Sequence, residues 1–419
     1  MTDTQNPRMF YGWKIVIAIM SLLTFTSGLS FYNHSIYLNS LAENPAFTVQ
    51  SASMAVSLFF LTGGVAGLWV AKWVQDYDPR ICICAGSVIS FVSLVALAAV
   101  QNNWQLYLVY SLFGVGFSAS SLIPATTLVT RWFQKRRAMA LSIASTGLSL
   151  GGVIITPLCV ILVERVSFNT AAPIMGAIYL LVVPIAWIWL RAGPESMGLH
   201  PDGEEREVVE DENKSEEVDV PRSHSDVDGI TFAEAKKGRF FWGVSLAYIF
   251  LMMAQVGGIS HQYGLARELL TESQTALAVA ILPVGSIVGR LIGGWIVDQV
   301  SIRMFAIGMM CLQAMSLCLL AMGFSALTLC LGLALFGVTV GNLLMLQPLI
   351  IADAFGLREY PKIFSVANLM SSWGTAAGPA LLGLVYGLNA NLYSLSYFVA
   401  AAAGAIGLVL FVVGGKYGD

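Results

Sequence analysis

Arg290 is the residue of this chain whose chemistry packing explains least. It lies in the apolar run "LPVGSIVGRLIGGWIV", about two turns from the end of that run. If the run crosses a membrane, an arginine at that depth costs at least ~2.5 kcal/mol on insertion scales. Arginine cannot escape the cost by losing its proton, so it has to face a cavity or a partner. The residues one turn away on its own helix are Ser286 and Gly294, and neither is an acid. A ligand carboxylate is then the natural counter-ion, because its two oxygens match the guanidinium fork. The competing explanations are that Arg290 snorkels to the surface or pairs with an acid from another segment.

Other polar residues sit in apolar surroundings and are candidates for the same site. His34 in "SFYNHSIYLNSL" and His261 in "GGISHQYGL" are placed to meet a ligand or carry a proton, since imidazole titrates near neutral pH. A histidine hydrogen-bonded at the outer interface is the alternative for each. Tyr32, Asn33, Gln255, Asn342, Gln347 and Ser371 are weaker candidates, because most polar residues in such helices only bond a neighbouring helix, for ~0.6 kcal/mol. A second cluster ends the Arg290 run. Gly294 and Asp298 stand four apart, and Arg303 comes after a tight loop. Glycine permits close helix approach, and the acid can meet the positive N-terminus of a neighbouring helix or its bases. The alternative is that Asp298 is a solvated loop acid.

These residues need a scaffold, and the composition says which. Of 419 residues, 57% are apolar and 11% are charged, about half the charged share of a soluble domain. Apolar runs of membrane-spanning length fall near 13–36, 52–75, 80–101, 105–130, 137–163 and 170–191, then near 240–264, 273–297, 303–324, 326–352, 361–387 and 391–415. They are too long and too uniformly apolar for barrel strands, so the fold class is an all-α integral membrane protein. The expected organisation is a six-helix bundle over 1–191, a polar linker over 192–239 and a second six-helix bundle over 240–419.

Thirteen of the 25 acids lie between Asp202 and Glu234, leaving 19 bases against 12 acids elsewhere. That scattered excess makes no footprint for nucleic acid. Most bases fall on the side of the termini and the linker, and only Arg165 and Arg267 fall on the other, which predicts cytoplasmic termini and a plasma (inner) membrane location. The first run is expected to stay as a span rather than be cleaved as a signal. The stretch "PDGEEREVVEDENKSEEVDVPRSHSDVDG" is expected to be a disordered tether. Six cysteines, all inside the runs, read as small apolar residues, and no metal or other cofactor is called for. No phosphate-binding loop and no nucleophile with a base stands out, so ATP-driven pumping and enzymatic chemistry are disfavoured.

The halves echo each other. "FGVGFSASSLIPATTLV" from Phe113 and "FGVTVGNLLMLQPLII" from Phe336 open alike, and each leads to a charged loop and a helix rich in small residues. Six helices repeated, with a midplane site between halves, is the plan of the major facilitator superfamily. "GGWIVDQVSIR" from Gly293 resembles that superfamily's loop after the eighth helix, whose partner by pseudo-symmetry is the start of the fifth, at Lys135, Arg136 and Arg137. The equivalent place in the first half has alanine at 71 and Gln75 where the acid belongs.

"FYGWKIV", "RWFQKRRAMALSIASTGLSLGG", "RAGPESMGLHPDG", "GRLIGGWIVD" and "ADAFG" with "AAGPALLG" together resemble the monocarboxylate porter branch and its oxalate/formate antiporter relatives, over nearly the whole chain. Ala138 and Ser142 depart from glycines frequent in that branch. The resemblance implies that Arg290 binds the anion and that coupling is by proton symport. Ser371 stands about where the antiporters carry a lysine, which would supply a second cation for a dicarboxylate. The implied activity is transport of a small organic anion, a monocarboxylate, by a monomer in a lipid bilayer. Export of amphipathic compounds and carboxylate antiport are the alternatives.

Overall fold

A computed structural model describes residues 10–134, 136–203, 229–297, 299–323, 325–356, 358–390 and 392–415. Among the described residues, eleven helical segments are long and apolar enough to cross a membrane. They are Tyr11–Ala42, Val49–Val74, Pro79–Leu97, Asn103–Trp132, Met139–Val166 and Phe168–Trp189, and then Arg239–Arg267, Glu272–Val297, Ile302–Met322, Ala326–Phe355 and Tyr393–Val413. Tyr360–Leu388, diluted by serines, glycines and threonine around Trp373, is the remaining span and counts as the eleventh in chain order. The protein is thus a twelve-helix membrane protein built of two six-helix halves.

Span starts are written locally. Asp78 accepts the Arg80 N–H ahead of Pro79, Asn102 accepts from Gln105, Ser301 from Met304, and Thr48 and Ser325 form reciprocal boxes with Ser51 and Thr328. Prolines account for three irregularities, because a proline ring clashes with the carbonyl four residues earlier and removes a donor. The fourth span breaks at Ser121 ahead of Pro124, and the sixth breaks at Leu180–Leu181 ahead of Pro184. In the fifth span the chain widens to a π-helical turn, Gly151–Ile155, ahead of Pro157. The first span has a π turn at Gly28–Tyr32 with no proline behind it, and then continues to Ala42, six residues past the expected end at 36. The added residues Tyr37, Leu38, Ser40 and Leu41 are buried, so these turns face protein rather than lipid.

The internal repeat is physical. A methyl group added at Gly114 would strike the Phe59 carbonyl on the second span, and one added at Gly337 would strike the Leu282 carbonyl on the eighth. The same glycine of each echo therefore seats its span on the equivalent neighbour.

Both bundles turn their linker-joined ends to one face, where the Tyr11 hydroxyl donates to the Trp189 carbonyl at 3.1 Å. At the far face the halves are knitted together. Ser57 Oγ accepts the Ala380 N–H at 2.9 Å, Gly383 and Gly387 lie against Ser53 and Gln50, and Tyr263, Ala276 and Val279 join the core of the first half. Tyr32 does the reverse and packs into the core of the second half.

The polar linker docks at both described ends. The Asp202 carboxylate accepts the Gln134 and Arg136 N–H groups at 2.9 and 3.3 Å, beside the start of the fifth span. Ile230 N–H donates to the Phe355 carbonyl, and Phe232 N–H to the Glu359 carboxylate at 2.6 Å, at the start of the eleventh. These two loops are pseudo-symmetry mates. The acidic part of the expected tether, 204–228, lies outside the described residues.

Candidate functional site

The two π turns meet where the halves touch. Gly28 and Gly151 pack backbone to backbone, which no side chain would allow, and Gly152 lies against both Tyr32 and Pro283 of the eighth span. A π turn shifts the register of the residues after it, so Tyr32 is swung out of its own bundle toward the eighth span. There Tyr32 lies near Ser149 and within electrostatic range of Arg290. Ser149 Oγ lies 3.4 Å from Ser286 Oγ, one turn before Arg290. A guanidinium and three hydroxyls, drawn from the first, fifth and eighth spans, therefore converge at the seam.

Arg290 is partly buried and has no ion pair or hydrogen bond among the described residues. Its Nε is fully buried with no acceptor. Leaving a charged donor unsatisfied is costly, so such a group implies an acceptor that comes and goes. Chemically the cluster can receive an anion on the guanidinium while hydroxyls from both halves bond the same ligand. Ser149 was not singled out from the sequence, and Ser286 was noted only for not being an acid. The available signal for Ser286 was a serine one turn from a membrane arginine. Nothing local in the sequence marks Ser149.

The other sequence candidates scatter. His34 is fully buried inside the first half, its ring 4.2 Å from Phe59 and ringed by Phe60, Tyr110 and Phe113, with neither nitrogen bonded. Asn33 bonds the Tyr37 hydroxyl at 3.4 Å. His261 is also fully buried, but at the far-face seam, with Nε2 3.1 Å from the Pro379 carbonyl and 3.4 Å from Ser53 Oγ across the halves. Gln255 is buried with both amide atoms unbonded. Asn342 donates to the Gly289 and Val338 carbonyls, both at 2.9 Å, and so ties the tenth span to the eighth. Ser371 takes the Gln347 amide at 2.7 Å, tying the eleventh to the tenth.

At the linker face, no described atom lies within 4 Å of where a Cβ at Gly294 would stand. Arg303 donates to the Gly415 and Val412 carbonyls, capping the end of the last span within its own half. Arg136 is exposed. Asp298, Lys135 and the side chain of Arg137 lie outside the described residues. In the first half Asp78 pairs with Arg80 at 2.6 Å. Partial burial pushes the Asp78 carboxyl up, but the hydrogen bonds from Arg80 outweigh it and hold it below the usual carboxylate range.

Comparison with known proteins agrees with this architecture. The chain matches the Major Facilitator Superfamily over residues 20–265 and 248–416. It is 23% identical to an MFS-type transporter of Gibberella moniliformis, over 97% of this chain and 91% of that one. It is 20% identical to monocarboxylate transporter 7 of Homo sapiens, over 97% and 86%, and 22% identical to a probable hexose phosphate transport protein of Chlamydia muridarum, over 70% and 63%. Among solved structures it resembles a bacterial homologue of the human lysosomal transporter Spinster in its inward-facing, occupied conformation, with a TM-score of 0.67 and 17% identity over 98% of this chain and 96% of that one. The chain belongs to the Major Facilitator Superfamily, as a multi-pass membrane transporter.

Proposed function

We propose that this transporter moves a small organic anion, a monocarboxylate, by alternating access with proton symport. The observation that carries the reading is Arg290, a guanidinium at the seam between halves with a buried, unbonded Nε and three hydroxyls around it. One fixed positive charge suits one negative charge, and hydroxyls from both halves give a bound carboxylate contacts that depend on how the halves are arranged. Two relatives carry names that specify an anionic cargo, a monocarboxylate and a hexose phosphate.

The far-face contacts support a conformation closed at the far face. In this reading Gly294, Asp298, Arg303, Arg136 and Arg137 form the opposing latch, which engages in the other conformation. The excess of bases on the linker face supports a cytoplasmic location for that face and both termini. The proposed setting is the plasma (inner) membrane, with the protein working as a monomer.

Uptake of labelled mono- and dicarboxylates into proteoliposomes, with and without an imposed pH gradient, tests the proposal. Monocarboxylate uptake stimulated by inward proton flow is the expected result. A flat response to every anion together with dye efflux would replace it with export of amphipathic compounds.

A further inference from the structure

His261 sits in the far-face seam where three helices meet. It belongs to the seventh span, yet its Nε2 meets Pro379 of the eleventh and Ser53 of the second, so one ring joins three helices and both halves. A carbonyl can only accept, so Nε2 carries the hydrogen and points it at the Pro379 oxygen. The Ser53 hydroxyl donates to the Val49 carbonyl and leaves a lone pair toward the same N–H. Nδ1 is therefore a bare acceptor, fully buried and unbonded. The titratable groups that face the ring are Tyr393 of the last span, at 5.5 Å, and behind it Tyr386 and Glu268, whose carboxylate accepts the Tyr393 N–H. The Tyr393 hydroxyl is itself buried and unbonded. The carboxylates at the rim are Glu43, Glu164 and Glu272, the last paired with Arg267 at 2.8 Å. None of these groups is bonded to Nδ1.

We propose that His261 is a proton-operated bolt of the far-face seal. With a neutral ring the seal closes on the Pro379 and Ser53 contacts. A proton arriving at Nδ1 creates a second N–H and a positive charge in a buried seam where no protein acceptor is bonded to it, and the strain is relieved when the halves part there and water reaches the ring. Protonation thus selects the far-face-open conformer, and closure expels the proton. The idea needs alternating access but not the carboxylate reading, so each can fail without the other.

The test is a distance across the seam. Spin labels are placed at Ala46→Cys and Leu388→Cys, both exposed far-face positions, in full-length protein whose six native cysteines are replaced. Distance distributions by pulsed electron resonance are compared between pH 8 and pH 5.5. A one-unit difference in proton affinity between conformers shifts their ratio about tenfold, and a shift of that order toward the longer distance is expected at low pH. His261→Gln keeps an N–H donor for the Pro379 carbonyl but cannot titrate, so its ratio should be flat. His34→Gln should leave the wild-type response in place. An unresponsive wild type, a response that survives His261→Gln, or one that disappears in His34→Gln would each overturn the assignment. If His261→Gln fails to fold, His261→Asn supplies the untitratable ring replacement, and an unresponsive wild type overturns the assignment in any case.

Discussion

Arg290 carries two obligations that separate on mutation. For binding, a hydrogen bond to a charged group contributes ~1.5–3 kcal/mol, so losing the fork in Arg290→Ala should weaken anion binding by about 100-fold or more. Arg290→Lys keeps the charge but loses the two-point geometry, and about 10-fold is expected. For stability the sign reverses. The empty protein holds a guanidinium with a buried, unbonded Nε, and an unsatisfied buried donor costs ~1–3 kcal/mol. Arg290→Met, which fills similar space without a donor, should therefore raise the Tm of the empty protein while abolishing binding. The assays are scintillation proximity binding of a labelled monocarboxylate and thermal unfolding in the same detergent, with and without ligand. Ligand should raise the Tm of wild type and leave that of Arg290→Met unchanged. Wild-type affinity in Arg290→Ala, or a large fall in Tm for Arg290→Met, would refute the argument, the second by making the arginine a structural group.

With one fixed cation at the seam, monocarboxylates should compete for uptake at pH 7 and dicarboxylates should not, because a second carboxylate would stay unpaired at a cost of several kcal/mol. Thr146→Lys, about one turn from Ser149 toward the linker face, should weaken that preference in the same competition assay. Glu268 lies just past the seventh span, where burial raises its carboxyl despite the hydrogen bond from Tyr393 that lowers it. An acid with a raised folded value is stabilising below its unfolded value, and that contribution is lost as pH rises through the folded value. Melting curves should accordingly show that Glu268→Gln gains stability over wild type above the ordinary value of about 4.5 and not below it. Asp202→Ala removes the acceptor for two N–H groups in the loop before the fifth span, so hydrogen exchange at Gln134 and Arg136 should speed up while Phe232, held by Glu359, stays protected.

The scaffold was legible because membrane physics leaves few alternatives. With no water to bond the backbone, apolar runs of this length have to be helices, and turn residues or caps such as Asp78-Pro79 and Ser301 mark where they start. Arg290 was legible for the related reason that a permanent charge in such a run is expensive. The neighbours of Arg290 were harder to read. Tyr32 comes within range of it at the end of the π turn Gly28–Tyr32, which an even 3.6-residue period misses, and Ser149 meets Ser286 through the packing of the fifth span on the eighth, which no local pattern shows. The end of the first span was missed because its last turns carry polar residues that the protein interior, not lipid, surrounds.

A single polar residue in a span says little about which way it faces, and Ser371 shows the consequence for design. Its alignment with an antiporter lysine suggests Ser371→Lys as the way to add a second charge. In the fold, Ser371 is 4% exposed and its oxygen accepts the Gln347 amide while donating to the Ala367 carbonyl. A lysine there would break the tie between the tenth and eleventh spans and bury an ammonium among helix backbones. Thr146 lies three residues before Ser149, is only partly buried and bonds no other helix, so a lysine there is expected to reach out of the packed interior without breaking a tie between spans. Whether a position can host a second cation depends on what faces it across the seam, and that is set by the packing of helices far apart in sequence.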